Sequence, residues 1–458
     1  MRFLWGILAL CLVGAPARVL AHASEQGFVL LLPTGLYMAG GVATVALTVV
    51  MIAVVPARVA RRVFRPWRLW RVPIRRGGLA VSLVALGGLG WAVWRGWVGA
   101  QDPTQNPLPL IVWGFVWLFV VTAQGVFGDM WRVINPWTGL WRVLGARVYW
   151  QYPRALGQWP GVVVLLALAG FLLADIAPAA PERLAGVVAV YWAIHMAGVL
   201  AFGPRWLFSV EAVTILMRAY AGLAVFGRAC GRRAIGFSAW RSMSMRQPTM
   251  GVAVFMILAL AIGSFDGVNE TFWWFGVIGV NPLEFSGRSS VVWHSLAGLI
   301  LACVGLLAVF AATLRAGLIL AESDQSLGRV FRTMAPSILP IAFGYHVAHY
   351  LPTMLVDVQY LAFMANDPMG RGADLFGLAG GHVTTGFFNT QASVRVIWLT
   401  QAGAVVFGHV VAILMAHVLA LRLFGTPRKA TLSQLPLTLF MVSYTLFGLW
   451  LLASPRGG

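Results

Sequence analysis

The chain has 458 residues, of which 60% are hydrophobic and only 10% are charged. This composition excludes an ordinary soluble domain and predicts a polytopic membrane protein. The formal net charge of +19 would suggest a nucleic-acid partner in a soluble protein, but here the arginines cluster between apolar runs. We therefore expect them to set the membrane topology and to contact anionic lipids, and we expect no nucleic-acid partner.

The first 23 residues have the features of a signal peptide. Arg2 precedes a short apolar core that ends at Gly14, and small residues follow this core. Cleavage after Ala21 would leave His22 at the new N-terminus, where an amine and an imidazole could bind a metal together. Cleavage after Ala23 would remove this histidine, and the sequence leaves the two cleavage sites open.

Ten apolar runs follow the leader. They predict a single polytopic domain over residues 24–458, with an all-α bundle of about ten transmembrane helices. The runs lie near Phe28–Val55, Gly78–Trp94, Leu108–Phe127, Val162–Ile176, Leu184–Phe202, Thr249–Phe265, Ser289–Ala312, Met334–Val356, Val394–Leu419 and Leu435–Ala453.

The arginine content of the loops alternates along the chain. Loop 57–76 carries eight arginines and no acidic residue. Arginines also occur in the loops 128–159, 204–246, 315–332 and 422–429. By the positive-inside rule these loops are cytoplasmic, so ten helices place the mature N-terminus and the C-terminus in the periplasm of a bacterial inner membrane. The signal peptide independently requires the same side for the N-terminus.

One segment within residues 205–247 is moderately apolar without being a clear span. Leu207–Phe226 contains Glu211 and Arg218. We interpret it as a cytoplasmic amphipathic helix at the membrane surface, because an eleventh span there would invert the arginine pattern downstream.

Histidines within the apolar runs are the main candidate functional residues. His346 and His349 lie about 60° apart on one helical face, and Asp357 lies on the same face further along. His409 and His195 fall at a similar depth in two other runs. Four imidazoles on three helices are the donors that copper, zinc or iron, or a haem b with two histidine ligands, would require. The alternative is that each histidine is an interhelical hydrogen-bond partner.

Further candidates lie toward the periplasmic side. Asp266, Glu270 and Asp357 are candidate acids or bases and could also bind a cation. His294, His382 and His22 are weaker metal-ligand candidates. The sequence contains no Gly-x-Ser-x-Gly elbow, Walker loop or Cys-x-x-Cys-His site, which disfavours a serine hydrolase, an ATP-driven pump and a c-type haem protein.

Several segments together resemble a family of bacterial multispanning inner-membrane proteins that are described as fenitrothion hydrolases. The resembling segments are Asp129 to Trp137, Phe265-Asp266-Gly267, Gly344 to Tyr350, Asp367 to Gly377, Gly408 to His417, and Ser433 to Pro436 with Tyr444. The resemblance implies an inner-membrane protein that hydrolyses organophosphate-type esters, and it assigns no role to any residue.

Three functions remain open from the sequence. The first is a metal- or haem-binding membrane protein centred on His346, His349 and His409, with His195 as a further ligand. A hydrolase of this kind would use a metal-bound water as the nucleophile, with Asp357 as an outer acid or proton acceptor. The second is a metal or small-solute permease with the same histidines at its midplane. The third is an assembly or structural subunit of a membrane complex.

Overall fold

The computed structural model describes residue 29 and residues 32–54, 57–71, 78–282 and 287–455. Helices make up 74% of it, which confirms the mostly helical architecture. Each of the ten apolar runs contains a helix of at least 16 residues. In chain order, α1 to α10 are Thr34–Val54, Gly78–Val98, Pro107–Phe127, Trp159–Ala174, Pro181–Phe202, Met250–Asn269, Val292–Leu320, Leu339–Asn366, Gln391–Phe424 and Pro427–Ala453. The predicted signal peptide, with both cleavage sites and His22, lies outside the described residues.

Eight of these ten helices are long and apolar enough to cross a membrane. The other two are α4, which has 16 residues, and α8, whose mean hydropathy is lowered by its histidines, tyrosines and Asp357. α6 and α9 are the most central of the eight, since 78% and 67% of their apolar windows are buried, compared with 6% for α1. α8 packs against α9, α3 and α6.

Two glycines set the close approach of α8 and α9. A Cβ atom on Gly344 would lie 2.6 Å from the carbonyl oxygen of Ala404, and one on Gly408 would lie 2.5 Å from that of Pro340. Small residues at a crossing of this kind let two membrane helices pack backbone against backbone. The crossing lies within two helical turns of His349, so it helps to fix the position of that side chain.

The middle of α3 is wound as a π-helix over Leu110–Val120. Such turns are rare and occur frequently at functional sites. This stretch packs along α8 and brings Trp117 next to His346, with 5.8 Å between the ring centroids. It also packs against Asp357, because a Cβ atom on Gly114 would lie 3.2 Å from the carboxylate Oδ2.

Hydrogen bonds join the loops at each end of the bundle. We call the end that carries loops 57–76, 128–159, 204–246, 315–332 and 422–429 the arginine-rich end. There, the Gln247 side chain donates to the carbonyl oxygen of Arg329 at 2.9 Å. At the opposite end, the Arg95 guanidinium donates to the carbonyl oxygen of Met369 at 3.3 Å. These contacts agree with the alternation of the arginine content.

The all-α prediction misses a small antiparallel sheet at the arginine-rich end. Its strands are β1 (Trp67–Arg71), which follows α1, and the hairpin of β2 (Phe226–Ala229) and β3 (Arg232–Ile235), which precedes α6. β3 is the central strand, and Trp67 and Phe226 both pair with Ile235. The strands are short and rich in arginine, and they come from distant parts of the chain, so no apolar alternation marks them.

Residues 205–247 do not form the predicted surface helix. The segment contains the hairpin and short helices, of which Ala212–Ala221 is the longest at ten residues. Eight of these ten residues are buried, and the helix packs against α3, α4 and α6. A surface helix would keep one face toward lipid or water. Glu211 is buried. Its carboxylate caps this helix by accepting hydrogen bonds from the N–H groups of Val213 and Thr214, and these bonds compensate for the loss of water.

Candidate metal centre

Three potential ligands converge where the end of α6 meets the middle of α8. Asp266 and Glu270 are four residues apart and therefore lie on one face of the same helix end. His349 projects from α8. One ligand atom from each residue lies within 4.8 Å of those of the other two. Within the described residues, this is the only such group of three or more His, Cys, Asp or Glu side chains.

The contacts around this group hold its members in place. Nε2 of His349 lies 3.2 Å from Oδ2 of Asp266. The hydroxyl of Tyr350 donates to the same oxygen at 2.6 Å. The ring of Tyr345 stacks on His349 at 5.6 Å, with an interplanar angle of 14°. Asp266 and His349 are both buried, so these partners replace the water that would otherwise orient them.

The metal group separates two cavities. The outer pocket, of about 240 Å³, is lined by all three potential ligands and by Arg288 and Tyr350. The inner cavity, of about 50 Å³, lies deeper in the bundle. Asp266, His349 and Tyr350 line both spaces, so these three side chains form the wall between them.

His346 lies in the inner cavity and outside the metal group. Its ring packs edge-on against Trp117 and Tyr350, with centroid distances of 5.8 and 5.0 Å. Its Nε2 atom is buried without a hydrogen-bond partner among the described residues, and so is Nδ1 of His349. The cavity is large enough for a few water molecules to satisfy both atoms.

The structure does not bring the four predicted histidines into one ligand set. Nδ1 of His195 accepts a hydrogen bond from the indole of Trp206 at 3.0 Å, and its ring packs against Tyr191 at 4.4 Å. Nδ1 of His409 lies 2.9 Å from the carbonyl oxygen of Val405 in the same helix. Only His349 of the four belongs to the group that could hold a metal.

The weaker candidates also lie outside the metal group. His294 and His382 are exposed. Asp357 packs against Gly114 of the π-helix. Asp266 and Glu270, which were predicted as possible cation ligands, lie together with His349 in the metal group.

A metal ion fits this group better than a haem does. Two carboxylates and one imidazole are suitable donors for zinc, iron or manganese, whereas copper(I) prefers sulfur ligands. Pockets for small molecules and cofactors typically have about 300–1,000 Å³. The cavity beside His346 has about 50 Å³, so the residues present do not accommodate a porphyrin there.

Sequence reasoning missed the supporting residues of the centre. Tyr350 and Tyr345 flank the histidine pair in the sequence, and this clustering of polar rings in an apolar run is the signal that could have identified them. Arg288 gave no comparable signal, because it lies in a loop that only the fold brings to the outer pocket. No protein-family model, curated protein or solved structure matches this chain.

Proposed function

We propose that this chain is a membrane hydrolase that binds one divalent transition metal on Asp266, Glu270 and His349. The observation that carries the proposal is the convergence of three ligand atoms within 4.8 Å at the wall of a pocket of about 240 Å³. Catalytic zinc sites typically have three protein ligands and one position left for water or substrate. The outer pocket supplies the space for such a position.

The chemistry divides between the metal and the chain. A divalent metal at this site would lower the pKa of water and polarise a phosphoryl or carbonyl oxygen. The Tyr350 hydroxyl orients the Asp266 carboxylate. Arg288, whose guanidinium donates to the carbonyl oxygens of Asp175 and Leu172 at 3.3 Å, brings a positive charge to the same pocket, which would favour a phosphoryl group. Trp113 and Leu172 give this pocket an apolar wall. These features suit an organophosphate-type ester, the substrate class that the family resemblance implies.

We further propose a bacterial inner-membrane location with ten spans, a cleaved signal peptide and both mature termini in the periplasm. α4 and α8 would then complete the set of spans, each flanked by helices that are apolar enough to cross. The loop contacts at the two ends of the bundle support this orientation. In this arrangement the outer pocket opens toward the periplasm, because Arg288 and Pro178 belong to loops at the end opposite the arginine-rich one.

Metal titration of the full-length protein in lipid nanodiscs tests the binding site. After chelator treatment, we expect the wild type to bind one Zn²⁺ per chain. Asp266→Asn, Glu270→Gln and His349→Gln should each weaken binding at least about tenfold, whereas His294→Gln and His382→Gln should not. Equal zinc binding in all of these variants would overturn the proposed ligand set, and so would a wild type that binds no zinc.

One observation favours a permease as the second candidate. Asp266, His349 and Tyr350 line both an outer and an inner cavity, and alternating-access sites have a comparable position. Two assays separate the candidates. Zinc-dependent release of nitrophenolate from an aryl phosphotriester supports the hydrolase, whereas zinc uptake into proteoliposomes without ester cleavage supports the permease. If the protein binds no metal and shows neither activity, a structural subunit of a membrane complex is the remaining candidate.

A further inference from the structure

Two arginine-rich segments that are distant in the sequence meet in the small sheet. Residues 57–71 contain six arginines and residues 226–235 contain three, and neither segment contains an acidic residue. All nine arginines are exposed. Because β1 pairs with β3, the five arginines of the strands lie in one small sheet, and the other four lie in the segment that leads into β1. We call the exposed surface of these segments the arginine sheet.

Contacts with α3 place the arginine sheet at the level where that helix ends. Phe226, the first residue of β2, stacks on Phe127, the last residue of α3, at 6.2 Å and 17°. The N–H group of Val225 donates to the carbonyl oxygen of Val126 at 3.1 Å. α3 is one of the eight helices able to cross a membrane. A bilayer spanned by α3 would have the start of the sheet at the boundary between its hydrocarbon and its lipid head groups.

Two indoles on β1 fit the same environment. The side chains of Trp67 and Trp70 are 78% and 62% exposed. In soluble proteins, tryptophan side chains are mostly buried on average. Tryptophan is enriched at the membrane–water interface, where its ring and its N–H group meet apolar and polar surroundings. The neighbouring Arg68 and Arg71 carry the positive charge of the same strand.

We propose that the arginine sheet binds the phosphate groups of anionic phospholipids at the membrane surface. Nine exposed guanidiniums without an acidic neighbour in their own segments attract negatively charged head groups, and arginine pairs with phosphate through two parallel hydrogen bonds. The exposed indoles, and the position of the sheet beside Phe127 at the end of α3, favour a lipid over a soluble anion. This surface lies at the end of the bundle opposite the outer pocket, so the inference does not depend on the metal centre.

Native mass spectrometry of the detergent-purified full-length protein measures this binding directly. The probes are phosphatidylglycerol and, for comparison, zwitterionic phosphatidylcholine. The test variant is Arg68→Gln/Arg71→Gln/Arg232→Gln/Arg233→Gln, which leaves the backbone hydrogen bonds of the sheet in place. Each arginine near an anionic surface contributes about fivefold to the binding affinity. We therefore expect the variant to bind phosphatidylglycerol at least about 100-fold more weakly than the wild type does, and to bind phosphatidylcholine with unchanged affinity.

The matched control removes the same charge elsewhere at the arginine-rich end. Arg142→Gln/Arg147→Gln/Arg154→Gln/Arg329→Gln should stay within about fivefold of the wild type. If the control variant lost as much affinity for phosphatidylglycerol as the test variant, net charge alone would explain the binding, and the proposal would be overturned. A wild type without preference for phosphatidylglycerol would also overturn it. Should the test variant fail to fold, Arg68→Gln/Arg71→Gln alone should weaken binding about 20-fold, and an unchanged affinity would refute the proposal.

Discussion

The hydroxyl of Tyr350 lies 2.6 Å from Oδ2 of Asp266, although the two residues belong to different helices. The same carboxylate oxygen lies 3.2 Å from Nε2 of His349. A single oxygen atom of α6 is thus positioned by two neighbouring side chains of α8. The geometry of the proposed metal centre therefore depends on how these two helices pack.

Removal of the Tyr350 hydroxyl should weaken metal binding without removing a ligand. In Tyr350→Phe, Asp266 loses its hydrogen-bond donor, and we expect zinc affinity to fall about 10–100-fold, as for other outer partners of metal ligands. Competition titration with a fluorescent chelator measures the change. Tyr444→Phe is the matched control, because it removes the hydroxyl of another partly buried tyrosine, which contacts Ser264 of α6 at 2.6 Å. Equal affinities for both variants would contradict the prediction.

A methyl group at Gly267 should disturb the metal centre. A Cβ atom there would lie 1.9 Å from the Tyr345 hydroxyl oxygen, and the Tyr345 ring stacks on His349. We expect Gly267→Ala to lower the free energy of unfolding by about 1–3 kcal/mol, as overpacking does, and to weaken zinc binding. Gly263→Ala is the control one turn earlier, since its Cβ would have an ordinary contact at 3.7 Å. Indistinguishable behaviour of the two variants would exclude this mechanism.

The crossing of α8 and α9 should be intolerant of any side chain. In Gly408→Ala, the new methyl group meets the backbone of Pro340 at 2.5 Å, so the helices must separate along their contact. We expect a loss of about 1–3 kcal/mol of stability, measured as a lower thermal midpoint in detergent. Gly403→Ala lies on the same helix with no atom within 4 Å of its Cβ and should keep the wild-type midpoint. A Gly408→Ala midpoint as high as that of Gly403→Ala would refute the close packing.

An ion pair between Asp175, which follows α4, and the first turn of α5 should make stability depend on pH. Arg183 donates to Asp175 at 2.5 Å, and this hydrogen bond lowers the pKa of the Asp175 carboxyl below its ordinary value of 3.8. The stabilising contribution is therefore present above pH 3.8 and is lost as the pH falls through the lower folded-state pKa.

Asp175→Asn should accordingly lower the thermal midpoint at pH 7. The difference in thermal midpoint between the variant and the wild type should become smaller once the pH falls below 3.8. Arg183→Gln should give the same profile, whereas Glu182→Gln, at an exposed neighbouring position, should not. A gap that is constant from pH 7 to pH 3 would show that the ion pair is not its cause.

The sequence predicts where the long helices lie but not which helices meet. Apolar runs are visible in the sequence because a membrane helix is apolar on most of its faces. All ten runs contain a helix of at least 16 residues. The convergence of Asp266 and His349 depends on the packing of α6 against α8. No periodic pattern in either apolar run indicates that these two helices pack together. The predicted cluster of His195 and His409 with His346 assumed that equal depth means proximity. His195 is instead held by Trp206.

The buried helix Ala212–Ala221 illustrates a second limit. Glu211 and Arg218 suggested an amphipathic surface helix because charged residues usually mark a solvated face. The structure uses Glu211 as the N-cap of this helix, so the charge is compatible with burial. Capping by an acidic side chain is a local feature, but only tertiary packing decides whether the capped helix lies inside or outside.

The pairing of β1 with β3 also constrains how the chain enters the membrane. β1 is synthesised before α2 and β3 after α5, so four long helices separate the two strands in the chain. The strands can pair only when both are on the same side of the bilayer, which requires an even number of crossings between them. In the proposed ten-span topology all four helices cross, so a chain that skipped one of these crossings would leave β1 unpaired, with its backbone edge open to proteases and chaperones.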